Sequence, residues 1–143
     1  MTTKTRLVNV FVWSVLLYGA ETWTISRAMA KIIEAFEMWV YRRITRTSWK
    51  DKITNEVVLR KVKIQKRLMN EIMKRKTSFC GHLMRHDSIQ KILLEGKRAR
   101  GRQRLTWFDN IREWTGRSYE ECTRTAQDRW SWRSMAANLQ IGT

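Results

Sequence analysis

Proline is absent from the 143 residues, glycine occurs six times and cysteine only twice. Without proline no position loses its backbone donor or takes a fixed φ, which favours helices joined by short turns. Two cysteines, Cys80 and Cys122, cannot form a disulfide framework in a chain of this size, so reduced thiols in an intracellular, nuclear or cytoplasmic setting are expected. Strand-like alternation never extends beyond a few residues. The longest apolar stretch, Leu7 to Tyr18, is interrupted by Asn9 and Ser14 and is too short for a bilayer span. No small-residue cleavage site follows it, so it is not a signal peptide either. Gly96 and Gly101 lack the Lys-Ser or strand context of a nucleotide-binding loop. A soluble protein with no membrane partner and no small-molecule substrate is the expectation.

Acid is also scarce. Thirteen Asp and Glu face 29 Lys and Arg, a net charge of +16. Such an imbalance opposes compaction by self-repulsion unless a polyanion shares the surface. Yet 43% of the residues are hydrophobic, too many for a disordered tail, and the length suits one domain with a modest core. The charge is uneven: 51–100 carries 14 cations against 5 anions, 101–143 only 7 against 5. Its densest run lies at Lys97, Arg98, Arg100, Arg102 and Arg104, between and beyond Gly96 and Gly101. Like charges and glycine keep such a loop from burying itself, whereas along a polyanion it would release condensed counterions.

Helical periodicity organises the rest. An apolar helix from Lys4 to Tyr18, buried on most of its circumference, should stop at Gly19. Thr24 or Ser26 can cap the next, in which Ile32, Phe36, Trp39 or Val40, and Ile44 share a stripe. Arg42, Arg43 and Arg46 suit the negative end of its dipole. Asn55 can cap a short helix to Arg60. A longer one from Ile64 to Arg85 would pack Ile64, Leu68, Ile72, Phe79 and Leu83, leaving Lys63, Lys66, Arg67, Lys74 and Lys76 outside. Ile89 to Leu94 fits a helical turn or a short strand. Thr106 can cap a helix carrying Trp107, Ile111 and Trp114. Ser118 with Glu121 forms a capping box for a last helix to about Asn138. The expected fold is all-α, a bundle of five to seven helices with a basic Gly/Arg loop.

Chemistry-bearing clusters are few. Cys80-Gly-His82 is followed one turn later by His86, and His82 and His86 share a helix face, but a structural zinc needs four ligands, the last of which distant Cys122 would have to supply. His86 and Asp87, adjacent in sequence, point in different directions on a helix. No paired carboxylates or activated nucleophile stand nearby, so catalytic residues, metal and cofactor are all expected to be none. Eight tryptophans invite base stacking. Trp13, Trp39, Trp107 and Trp114 fit core positions, while Trp49, Trp130 and Trp132 are undetermined.

The ordered motifs carry a resemblance. Leu17-Tyr-Gly-Ala-Glu-Thr-Trp23 precedes Phe36-Glu37, Arg42-Arg43-Ile44, Trp49-Lys-Asp51 and Thr54-Asn-Glu-Val57. Gly81-His82 with Arg85, Gly101-Arg102, Trp107-Phe-Asp109 with Ile111, Asp128-Arg129 and Trp132-Arg133 follow. This series, over nearly the whole chain, resembles the C-terminal region of non-LTR (LINE-type, RTE- or Jockey-like) retrotransposon endonuclease–reverse transcriptases. The family's Gly-Arg-Pro is here Gly101-Arg102-Gln103, and Cys80 replaces an aromatic.

The resemblance implies a truncated tail of an RNA-directed DNA polymerase, with thumb-like helices over 1–94, a basic loop over 95–104 and a C-terminal extension over 105–143. The polymerase Tyr-x-Asp-Asp and every endonuclease motif are missing, so this chain alone is expected to be no enzyme. The expected partners are RNA or DNA, held by the phosphate backbone, and the upstream polymerase domain of the parent. The expected phosphate contacts are Lys61, Lys63, Lys66, Arg67, Lys74 and Lys76, with Lys97, Arg98, Arg100, Arg102 and Arg104. The competing readings are a protein-interaction scaffold whose cations form a solvated face and, more weakly, a zinc-dependent nuclease.

Overall fold

The computed structural model describes residues 3–87, 89–95 and 105–139, and among these the chain is all-helical, with no strand. Thr3–Leu7 (α1) continues through π turns at Val8–Trp13 into Ser14–Leu16 (α2). After a 3₁₀ turn at Ala20–Thr22 come α3 (Arg27–Ile44), a 3₁₀ turn at Trp49–Asp51, α4 (Asn55–Val62) and α5 (Leu68–Arg85). Then follow α6 (Ile89–Glu95), α7 (Trp107–Thr115), α8 (Tyr119–Gln127) and α9 (Arg129–Ala137). The described residues divide into two compact units, one drawn from Met1–Tyr18 and Arg27–Met69, the other from Gly19–Ser26 and Asn70–Thr143.

In the first unit, Thr5, Trp13 and Leu17 are buried at multiples of four residues. That spacing drifts by about 40° per step round an α-helix of 3.6 residues per turn. The wider turns of the π segment reduce the drift and keep the buried line on one side. Trp13 there packs edge-on against Phe36 and Tyr41, with centroids 6.0 and 6.4 Å away. The expectation that this segment is buried nearly all round fails, because Leu7, Val10, Phe11, Val15 and Tyr18 are all exposed. Gly19 ends it as expected, in the left-handed region at φ 68° that glycine enters without a Cβ penalty.

The α3 stripe is also corrected. Its buried residues are Ile33, Glu37, Met38, Val40 and Tyr41, while Ile32 is 68% and Trp39 54% exposed. Phe36 is half-buried. A carboxylate displaces the apolar pattern. Glu37 Oε1 accepts from the Tyr41 hydroxyl at 2.9 Å and from the backbone N–H groups of Arg67 (3.0 Å) and Leu68 (3.3 Å). It thereby satisfies donors at the start of α5, where helix ends leave N–H groups unpaired and negative charge is favoured. Burial and the Glu37 carboxylate both hold the Tyr41 phenol well above its usual pKa.

The second unit is built on tryptophan. Trp132, Cys80, Met84, Ile111, Cys122 and Ala126 form its buried cluster, flanked by Trp107, Phe108, Trp114, Tyr119 and Met135. Trp132 Nε1 donates to the Thr77 carbonyl at 2.8 Å. A Cβ on Gly81 would lie 2.2 Å from that nitrogen, so glycine is what lets α9 approach α5. Capping boxes start α8 at Ser118 with Glu121, as the sequence predicts, and α7 at Thr106, the expected cap, with Asp109 completing a box there too. The expected continuous last helix is instead broken, because Asp128 leaves the helical region and its carboxylate caps α9 through Trp130 N.

Candidate nucleic-acid interface

The cations expected to hold phosphate divide into three groups. Lys61 and Lys63 are exposed, on α4 and at its left-handed C-cap (φ 57°). Lys66 and Arg67 are exposed in the connector before α5, and Lys66 pairs with Glu34 at 3.1 Å. Arg67 donates a hydrogen bond to Asn9. Arg60, Lys63 and Lys66 line one groove of about 640 Å³ with Leu59, Ile64 and Gln65. Lys74 is exposed on α5, in the second unit. Lys97, Arg98, Arg100, Arg102 and Arg104 lie outside the described residues, as does the Gly/Arg loop that contains them.

Lys76 forms the third group, and here the expectation is overturned. Its side chain is 0% exposed, so it cannot touch a phosphate backbone. The ammonium donates to the Trp23 carbonyl at 2.6 Å and to Asn110 Oδ1 at 2.7 Å. It lies 4.7 Å from the Trp107 ring centroid and 5.5 Å from that of Trp114. Asn110, itself buried, closes the arrangement by exchanging two 2.7 Å hydrogen bonds with the Ile25 backbone. Trp107 Nε1 adds a bond to the Glu21 carbonyl at 2.9 Å. Lys76 therefore ties the Gly19–Ser26 segment to α5 and α7. Desolvation lowers its pKa from 10.5 to about 7. The sequence did carry a signal: Ile72, Lys76 and Cys80 recur every four residues on what is the buried stripe of α5. Helix α5 starting at Leu68 also separates Lys63, Lys66 and Arg67 from the helix face assigned to them.

The histidine–cysteine cluster does not converge. Cys80 is buried, whereas His82 and His86 are exposed with ring centroids 4.5 Å apart. Among the described residues no three His, Cys, Asp or Glu side chains gather as a metal site. Both thiols are free and buried. Desolvation pushes Cys80 up to about 12 and raises Cys122 too, leaving both as thiols rather than reactive thiolates.

A site that periodicity did not reveal sits at the end of α3. Trp39, Arg42, Arg43, Arg46 and Trp49, with Thr47 and Ser48, line a cleft of about 510 Å³. Arg42 is engaged structurally, donating to the Ile53 carbonyl at 2.7 Å and to Asn55 Oδ1 at 3.0 Å. Arg43 lies over Trp39, with its guanidinium carbon 5.1 Å from the ring centroid. Trp39 in turn stacks on Phe36 at 5.9 Å and 18°. Trp49 is 80% exposed on a 3₁₀ turn fixed by a capping box, in which Ser48 N donates to Asp51 Oδ2 at 2.8 Å. Left-handed Arg46 (φ 52°) and Lys52 (φ 49°) bracket this turn. Side chains that are not glycine seldom occupy that region. From Met38 to Asn55, five cations accompany one carboxylate, Asp51.

Of the described helices, none is long and apolar enough to cross a membrane. Comparison with protein-family models, with curated proteins and with solved structures finds no match to this chain.

Proposed function

We propose that this chain is a non-catalytic nucleic-acid-binding piece of a LINE-type retrotransposon reverse transcriptase, holding a template–primer or target duplex by its phosphate backbone. The observation that carries the reading is the exposure of Lys61, Lys63, Lys66 and Arg67 in a chain of net charge +16. Phosphate contacts of this kind position a duplex without reading its sequence. The parentage rests on the order of motifs from Leu17 to Arg133. Lys76 is not among the contacts.

Salt dependence tests the proposal. Each phosphate contact contributes about 0.9 to the slope of log affinity against log salt. Replacing Lys61, Lys63, Lys66 and Arg67 together by Gln is expected to flatten the slope by up to about 3.6 and to weaken duplex binding most at low salt. The Gln variant of Arg98, Arg100, Arg102 and Arg104 tests the basic run in the same way. Unchanged slopes in both variants would remove these residues from any polyanion surface.

One observation favours a second reading, a protein-interaction module. Leu7, Val10, Phe11, Val15 and Tyr18 form an exposed apolar face on the first helical segment. A partner held there would be retained as ionic strength rises, because apolar burial is not screened.

A further inference from the structure

We propose that the cleft of Trp39, Arg43, Arg46 and Trp49 is a stacking site for single-stranded nucleic acid, in addition to the duplex surface. The proposal rests on the polyanion reading above and adds a distinct place and a distinct ligand form. Base stacking needs an exposed aromatic plane, held in a fixed direction, with cations at the distance of the flanking phosphates. Trp49 supplies the plane, being the most exposed side chain of the cleft's two indoles and carried on a turn closed by the Ser48–Asp51 capping box. The fixed turn means that little ordering entropy is lost when a base arrives.

The other members have separable tasks. Arg43 covers one face of Trp39 and keeps that indole fixed against Phe36. Arg46, exposed at a left-handed position beyond the helix end, lines the cleft with Arg43, and the two cations would meet the phosphates on either side of the stacked base. Arg42 is committed to Ile53 and Asn55 and serves as the wall. The carboxylate of Asp51 is bonded to the Ser48 backbone, which orients the turn, and it is the one acid among five cations between Met38 and Asn55. A duplex hides its base faces in the stack, so the exposed Trp49 indole offers it nothing that a single strand does not use better.

The test is fluorescence anisotropy of the full chain with a short labelled oligothymidylate and with a blunt duplex, comparing the parent with Trp49→Ala and Trp49→Phe. Trp49→Ala is expected to weaken the single strand about tenfold and the duplex less than about twofold, with Trp49→Phe restoring most of the loss. The side chain is 80% exposed, so helix content and the urea midpoint should match the parent and confirm that the variant is folded. If the folded parent binds neither ligand, the polyanion reading falls and the cleft proposal with it. If the parent binds both but Trp49→Ala leaves both unchanged, or weakens both equally, the stacking site is overturned and the duplex reading stands. Displacement of oligothymidylate by oligoglutamate of equal charge, as effectively as by unlabelled oligothymidylate, would overturn it in favour of an acidic peptide.

Discussion

Each unit of this protein brings a cation to the face of an indole, with opposite consequences. In the second unit Lys76 is sealed beneath Trp107 and Trp114, its ammonium donating to the Trp23 carbonyl and to Asn110 Oδ1. In the first, Arg43 lies over Trp39 at the rim of an open cleft beside the exposed Trp49. Only the first geometry leaves charge and aromatic surface for a ligand. The second converts the same pairing into internal structure. A cation–π pair gains about 0.5–1 kcal/mol at an exposed site and about 2 kcal/mol or more once desolvated, but the desolvated one must also bury a charge. A cationic residue beside a tryptophan in sequence or space is therefore no evidence of a binding site until its exposure is known.

Loss of a core indole should have the largest effect. Trp132→Ala is expected to cost about 3–5 kcal/mol in urea unfolding, because it removes a buried indole and leaves a cavity around Gly81. Lys76→Ala should follow at about 1–3 kcal/mol, depriving the part-buried Trp23 carbonyl of its ammonium donor and leaving Asn110 Oδ1 with the Ile25 N–H. If Lys76→Ala unfolded at the parent's urea midpoint while impairing duplex binding, Lys76 would belong with the surface cations after all.

The pH dependence sharpens the same contrast. The pKa of Lys76 falls from 10.5 in the unfolded chain to about 7 on burial. Between those values the unfolded chain binds more protons than the fold, so stability should rise with pH from about 7 upwards. Below about 7 the burial penalty is present in full and stability is flat with respect to this group. Cys80, one turn along α5, acts in the opposite sense above its ordinary 9.0, since burial favours the protonated thiol. Tyr41, raised above 10.0, does the same at still higher pH. The window from about 7 to 9 therefore isolates the lysine. The parent's urea midpoint should climb across it, and that of Lys76→Met should not.

Glu37→Gln is expected to cost about 1–2 kcal/mol, because a neutral amide oxygen accepts the Tyr41, Arg67 and Leu68 hydrogen bonds less strongly than a carboxylate does. Chemical denaturation of this variant reads the worth of the buried acid in the first unit. The smallest effect should come from Trp49→Ala, within about 0.5 kcal/mol of the parent, as for other surface changes. A larger loss there would make Trp49 a structural residue and close the gap between the two cation–indole pairs.

What the sequence determined by itself is local. The helical class followed from the absence of proline and from periodicity, and the caps at Thr106 and Ser118 from a side chain three residues before its partner. Gly19 as a stop was equally legible, as was the core position of Ile111, although Trp107 on the same helix is only half-buried. Each depends on groups within one helical turn or on composition alone. Which face of α3 turns inward was not legible, because Glu37 is buried by donors about 30 residues further along the chain. The register of Ile72, Lys76 and Cys80 hinted that Lys76 faces inward, but the acceptors that let its ammonium be buried, 34 and 53 residues away, were not legible. That Trp39 and Trp49 line one cleft, on either side of left-handed Arg46, was hidden for a related reason, since helical periodicity has no meaning once the helix ends. A cation obeys the local pattern only until distant carbonyls and indoles replace its water, and that replacement is decided by tertiary structure.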